Sequence, residues 1–119
     1  MTGDEQAIWA RNAEVPLFVA LGRNRPAFRW DEPEHRPLIL RHVTWCQDQE
    51  AAGRLIGAGP LAPAPGGADA LMIVAAPTRE SLDRLLAADP LVVAGVRRYE
   101  VTGWLLNQGT ARHCARAAA

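Results

Sequence analysis

His42 lies among Leu38, Ile39, Trp45 and Cys46 on the apolar arc of a helical pattern, so its ring faces a core rather than solvent. An imidazole in that place can take up and release a proton near neutral pH, which is general acid–base chemistry. The plainer reading is a core histidine bonded to a backbone carbonyl. Asp89 follows Leu85 and Leu86 by one turn, on the buried side of a second helical pattern, where the negative helix end would raise a carboxyl pKa. It could pair with His42, but Asp89-Pro90 is equally what the N-cap and N1 of a further short helix look like. A single carboxylate can do both.

Other residues near these two carry weaker chemistry. Arg36 and Arg41 flank His42 in sequence and suit an anionic substrate group, although Arg41 falls on the polar side of the helix, where a solvated guanidinium is the simpler account. Trp45 and Trp104 could wall a flat ligand or simply fill core. His35 in a polar loop and His113 near the end read as solvated. Cys46 and Cys114 have no paired spacing and read as free thiols. No two ligating side chains share a helical face with His42, so no metal is expected, and Gly57-Ala58-Gly59-Pro60 lacks the third glycine and the following helix of a dinucleotide site. The expectation is no cofactor.

The elements that must position these residues are legible from period and punctuation. Residues 1–14 are polar and weakly patterned and read as an extension, with Ile8 and Trp9 as possible anchors. Residues 16–22 form an apolar run bounded by breakers and read as a first strand. A polar connection with Pro26 and Pro33 spans 23–35. The helix follows over 36–52, with Leu38, Ile39, Val43, Trp45, Cys46 and Ala52 inward, Arg41, Thr44, Gln47 and Asp48 outward, and Gly53 as its C′ residue. A second strand over 54–61 contains Gly57 and Gly59, which permit close backbone approach. After a Pro/Gly loop, residues 70–76 make a third strand. Thr78 caps a second helix whose stripe is Leu82, Leu85 and Leu86, Gly95 ends a short turn over 90–94, and 96–106 is the last strand. Residues 107–119 read as a loose tail.

The order β-α-β, β-α-β predicts an α+β, ferredoxin-like βαββαβ domain over 15–106, a four-stranded antiparallel sheet with two helices on one face. With 119 residues, 49% of them hydrophobic, the chain can bury one core unaided. Its 13 basic and 13 acidic residues cancel, and no stretch concentrates positive charge, so nucleic acid is not an expected partner. All the basic residues are arginine, which excludes Schiff-base and P-loop lysine chemistry. Residues 1–20 lack a signal-peptide pattern and no apolar run approaches a membrane span, so a cytoplasmic protein with no membrane partner is the default.

Two segments resemble a known family. Residues 41–60, Arg-His-Val-Thr-Trp-Cys-Gln-Asp-Gln-Glu-Ala-Ala-Gly-Arg-Leu-Ile-Gly-Ala-Gly-Pro, are similar to a helix opening on an Arg/Gln-His-Leu-like step and closing on Gly-x-Leu-x-x-Ala-Gly-Pro. Residues 89–96, Asp-Pro-Leu-Val-Val-Ala-Gly-Val, are similar to an Asp-Pro-x-x-x-Ala-Gly-Val turn before the last strand. Both patterns belong to the YCII-related (YciI-like) branch of the dimeric α/β-barrel proteins. The resemblance implies a His/Asp pair at His42 and Asp89, and proton-transfer chemistry such as loss of a leaving group from a chlorinated hydroquinone or, more distantly, lactone isomerisation. Trp45, Trp104 and the Pro26–Pro33 loop lie outside the pattern, so the substrate does not carry over.

Residues and resemblance together lead to the expectation of a cofactor-independent lyase or isomerase. His42 would move a proton of a small cyclic or carbonyl-bearing metabolite, Asp89 would fix its tautomer, and Trp45, Arg41 and Trp104 would be substrate contacts. The alternative is a non-catalytic ligand-binding or accessory module using the same cavity. Residues 17–21 and 71–75 are apolar on both sides while two helices cover only one, so a homodimer through the free sheet faces is also expected.

Overall fold

The computed structural model describes residues 1–113; Cys114 and the end of the expected tail lie outside the described residues. Four strands form one sheet in the order β2-β3-β1-β4, every neighbouring pair antiparallel. They are β1 (Val15–Asn24), β2 (Leu55–Pro60), β3 (Ala70–Val74) and β4 (Arg97–Leu106). The long helix α2 (Arg36–Ala51) joins β1 to β2, and α3 (Arg79–Ala87) with the short α4 (Pro90–Val93) joins β3 to β4. With the N-terminal helix set aside and α3 and α4 counted as one connection, the order is the βαββαβ of a ferredoxin-like fold.

Local chemistry explains most boundaries. Thr78 caps α3 by accepting from the Ser81 amide at 3.0 Å, and Ser81 returns the bond by accepting from the Thr78 amide at 3.2 Å. Asp89 caps α4 with Pro90 in its first turn, and Gly53 and Gly95 follow α2 and α4 at φ 76° and 75°, a region that costs glycine nothing.

The alternation of β1, β3 and β4 divides the sheet into two faces. On one, Ala20, Met72 and Val74 meet Leu82 and Leu86 of α3, with Phe18, Trp45, Cys46, Leu55, Tyr99 and Val101 around them. Each fully buried Leu or Met there contributes about 1.5–3 kcal/mol. On the other face, Val15, Leu17, Ala75 and Leu106 form a smaller cluster with Ala13, Ile56 and Ile73. Val19, Leu21 and Leu71 on that face are only half-buried, and Trp104 is 40% exposed.

Several local expectations are corrected. Residues 1–14 are not uniformly irregular: α1 (Gly3–Ala10) is started by Thr2, whose hydroxyl accepts from the Glu5 amide at 3.1 Å. Ile8 and Trp9 are 59% and 61% exposed and provide no anchor among the described residues; the attachment is made by Ala13, which is buried and bonds through its amide to the Asn107 carbonyl at 2.8 Å. The described part of the tail is tied down rather than loose, since Asn107 Nδ2 donates to the Ala13 carbonyl at 2.6 Å and Arg112 to the Arg11 carbonyl at 2.9 Å. Apart from their own chain neighbours, no described residue comes within 4 Å of a Cβ built on Gly57 or Gly59, so these glycines serve no close backbone approach among the described residues. Val43 and Ala52 of the expected inner stripe are exposed; the buried residues of α2 are His42 and Gln49, with Trp45 and Cys46 half-buried against the core.

Candidate active site

Position 42 is on the inner face of α2, and Asp89 sits where α3 hands over to α4. The fold brings them into contact: His42 Nδ1 lies 2.7 Å from Asp89 Oδ1, with His42 6% exposed and Asp89 fully buried. The same Oδ1 accepts the Leu91 amide at 2.9 Å, so Asp89 is both cap and partner. Its Oδ2 accepts the Tyr99 hydroxyl at 2.5 Å. The sequence expectation that the end of α3 would raise this carboxyl pKa is overturned. Burial does push it up, but the bonds from His42, Tyr99 and Leu91 outweigh burial and hold it below the ordinary 3.8. Asp89 therefore stays ionised, and Tyr99, pushed up by burial and by the neighbouring Asp89 charge, stays a phenol.

With Nδ1 engaged, Nε2 is the ring nitrogen left for a ligand. Cys46, one helical turn along α2, places its Sγ 3.6 Å from Nε2. Burial, then the Asp89 charge, raise its thiol to about 11, so Cys46 is a neutral neighbour rather than a thiolate. His42 and Cys46 line a cavity of about 430 Å³ between α2 and strands β2 and β3, together with Leu55, Met72, Trp30 and Arg97. That volume suits a small-molecule ligand, and its walls are mostly apolar.

Three contributors were not anticipated. Trp30 comes from the connection after β1, which is ordered over the site: Phe28 is buried, meets Trp30 edge-to-face at 5.4 Å and stacks on His35 at 5.1 Å. His35 is accordingly not a free, solvated side chain, because its Nδ1 also takes the Arg29 amide at 3.1 Å. The Trp30 ring then lies 6.1 Å from the His42 ring. Tyr99 and Arg97 come from β4, on the helix-covered side, and reach across β1 at Gly22. A Cβ there would meet Tyr99 at 3.1 Å and Arg97 at 3.2 Å, so glycine makes their room. The signal available in sequence was the pairing of Gly22 with Tyr99 and of Asn24 with Arg97, which requires the strand register.

The expected substrate contacts divide. Trp45 stacks beside His42 at 6.2 Å and is half-buried, closing one flank of the imidazole. Arg41 is exposed and borders a separate shallow depression with Leu40, Thr44, Trp45 and Asp48, since one residue along a helix turns a side chain by about 100° away from His42; Trp45, though beside the imidazole, lines this depression and not the cavity. Trp104 pairs with Leu17 and has the opposite parity to Tyr99, so it stands on the other face of the sheet. No cluster of three His, Cys, Asp or Glu suited to a metal occurs among the described residues.

The fold and the enclosed pair define a class, a ferredoxin-like α+β domain with a His/Asp dyad beside an apolar cavity. More specifically, the sequence matches the YCII-related domain over residues 17–105, and the chain belongs to that family. The structure is similar to that of 5-chloro-2-hydroxyhydroquinone dehydrochlorinase (TftG) from Burkholderia phenoliruptrix AC1100, solved in complex with 2,5-dihydroxybenzoquinone. The TM-score is 0.56 at 17% identity, covering 74% of this chain and 92% of that one. No curated protein sequence matches. At that identity the likeness establishes shared fold.

Proposed function

We propose that this chain is a cofactor-independent lyase or isomerase in which His42 Nε2 moves a proton on a small, flat, cyclic or carbonyl-bearing molecule held in the cavity beside α2. The observation that carries this reading is the 2.7 Å contact between His42 Nδ1 and an Asp89 held ionised by three donors. Such a carboxylate fixes the imidazole with Nδ1 protonated and Nε2 basic, and it stabilises the imidazolium formed when Nε2 takes a proton. In an elimination the substrate's C–H proton goes to Nε2 and the bonding pair expels a leaving group as its anion. In an isomerisation the proton returns to a different atom of the same molecule. Tyr99 holds Asp89, and Trp45 and Trp30 flank the ring. TftG acts on a hydroquinone, which favours substituted quinols and their keto forms as first candidates.

The other face of the sheet suits a second copy of the chain. Apolar Val19, Leu21, Leu71 and Trp104 need cover that α2 and α3 do not give, and a stable pair would bury on the order of 1,200 Å² or more.

The test incubates wild-type protein and His42→Ala in deuterated buffer with chlorinated and unchlorinated hydroxyhydroquinones and cyclic ketones, following deuterium uptake and halide release. Proton transfer should fall by about 10²–10⁴ in the variant. Ligands that bind wild type without exchange or turnover would indicate a binding module, and equal rates in the two proteins would contradict the reading.

A further inference from the structure

We infer that the substrate carries an anionic oxygen, a carboxylate, enolate or phenolate, and that Arg97 receives it; this rests on the proposed use of the cavity and names the substrate class. Arg97 is 5% exposed at the start of β4 and lines the same cavity as His42. Its Nε donates to Asn24 Oδ1 at 2.6 Å and its Nη1 to Tyr99 Oη at 3.3 Å. Both acceptors are neutral. Nη2 is buried with no hydrogen-bond partner, and no carboxylate lies within ion-pair distance of this guanidinium among the described residues. Asp89, the buried carboxylate of the site, is engaged by His42 and Leu91 at Oδ1 and by Tyr99 at Oδ2.

A buried guanidinium with one unpartnered nitrogen, linked to a carboxylate among the described residues only through the Tyr99 hydroxyl to Asp89, is unfavourable. The surroundings nevertheless favour keeping Arg97 there: Gly22 leaves the space, Asn24 fixes Nε, and the group lies 5.9 Å from the centre of the Trp30 ring and 5.7 Å from that of Tyr99. An anionic ligand supplies the missing partner. Because Trp30 neighbours both Arg97 and His42, a single small ring entering beneath it, with a modest shift of that indole, spans the two groups. Negative charge that develops as Nε2 removes a proton would then fall toward Arg97, which is where a fixed positive group lowers a barrier.

The experiment compares binding of 2,5-dihydroxybenzoate with that of 2,5-dihydroxybenzamide, the same ring without the charge, by titration calorimetry. Wild type should prefer the carboxylate by about tenfold or more, as for a charge-assisted hydrogen bond. The preference should vanish in Arg97→Gln and persist in part in Arg97→Lys. His42→Gln should retain it, which separates this inference from the proton-transfer reading: a failure of His42 chemistry leaves the preference intact. Equal binding of the two probes by wild type, binding of neither at millimolar concentration, or a preference that survives Arg97→Gln in folded protein overturns the assignment.

Discussion

The two faces of this sheet are built from the same alternating strands but carry different side chains. On the covered face apolar packing is interrupted by a polar row, His42, Asp89, Tyr99, Asn24 and Arg97, in which nearly every group is bonded to the next. On the open face Val19, Leu21, Leu71 and Trp104 carry no such row and remain partly exposed. A buried polar network is costly unless satisfied, so its confinement to one face supports the proposal of proton chemistry there and of association through the other.

Breaking the covered face at its most connected residue should have the largest effect. Asp89→Ala removes a cap, the His42 partner and the Tyr99 acceptor together, and should lower unfolding stability by about 3–5 kcal/mol in denaturant titration. Because the folded carboxyl pKa is held below the ordinary 3.8, the ionisation-dependent part of this loss is present at neutral pH and disappears as pH falls through the folded value. A deficit that grows on acidification would be wrong in sign.

The open face should respond in assembly instead. Val19, paired with Ile73 and Thr102, is half-buried and belongs to neither core cluster. In Val19→Arg, light scattering at micromolar concentration should report one chain where wild type reports two, with turnover-face stability little changed. A wild-type mass of one chain would contradict the paired-face reading.

A smaller effect is spectroscopic. Tyr99 is the one tyrosine in the sequence, so alkaline titration of its absorbance reads this phenol alone. Its pKa should lie above the ordinary 10.0 in wild type and drop toward it in Asp89→Asn, where the neighbouring negative charge is gone.

The sequence made the elements legible where signals are local. The Thr78 cap, the Asp89-Pro90 start and Gly95 stop of α4, and the apolar runs of β1 and β3 all lie within a few residues of what they determine. His42 and Asp89 were also readable, because each sits at a helical position whose neighbours set its burial. Arg97, Tyr99 and Trp30 were not, since their contribution depends on strand register across Gly22 and on an aperiodic connection folding over α2. Arg41 and Trp104 have residue types that suit a ligand, but helical angle and strand parity place both elsewhere. The direction of the Asp89 pKa was misjudged for a related reason: two of its three donors arrive from distant elements.

The central claim, that Asp89 holds Nδ1–H so that Nε2 is the working base, is open to a measurement that needs no substrate. Two-bond proton–nitrogen correlation spectra of histidine-labelled protein, with His42 assigned by its absence in His42→Gln, report the tautomer of the neutral ring. The Nδ1–H form is expected, with a strongly deshielded Nδ1 proton that is lost in Asp89→Asn; a His42 found as the Nε2–H tautomer in wild-type protein would contradict this role of Asp89.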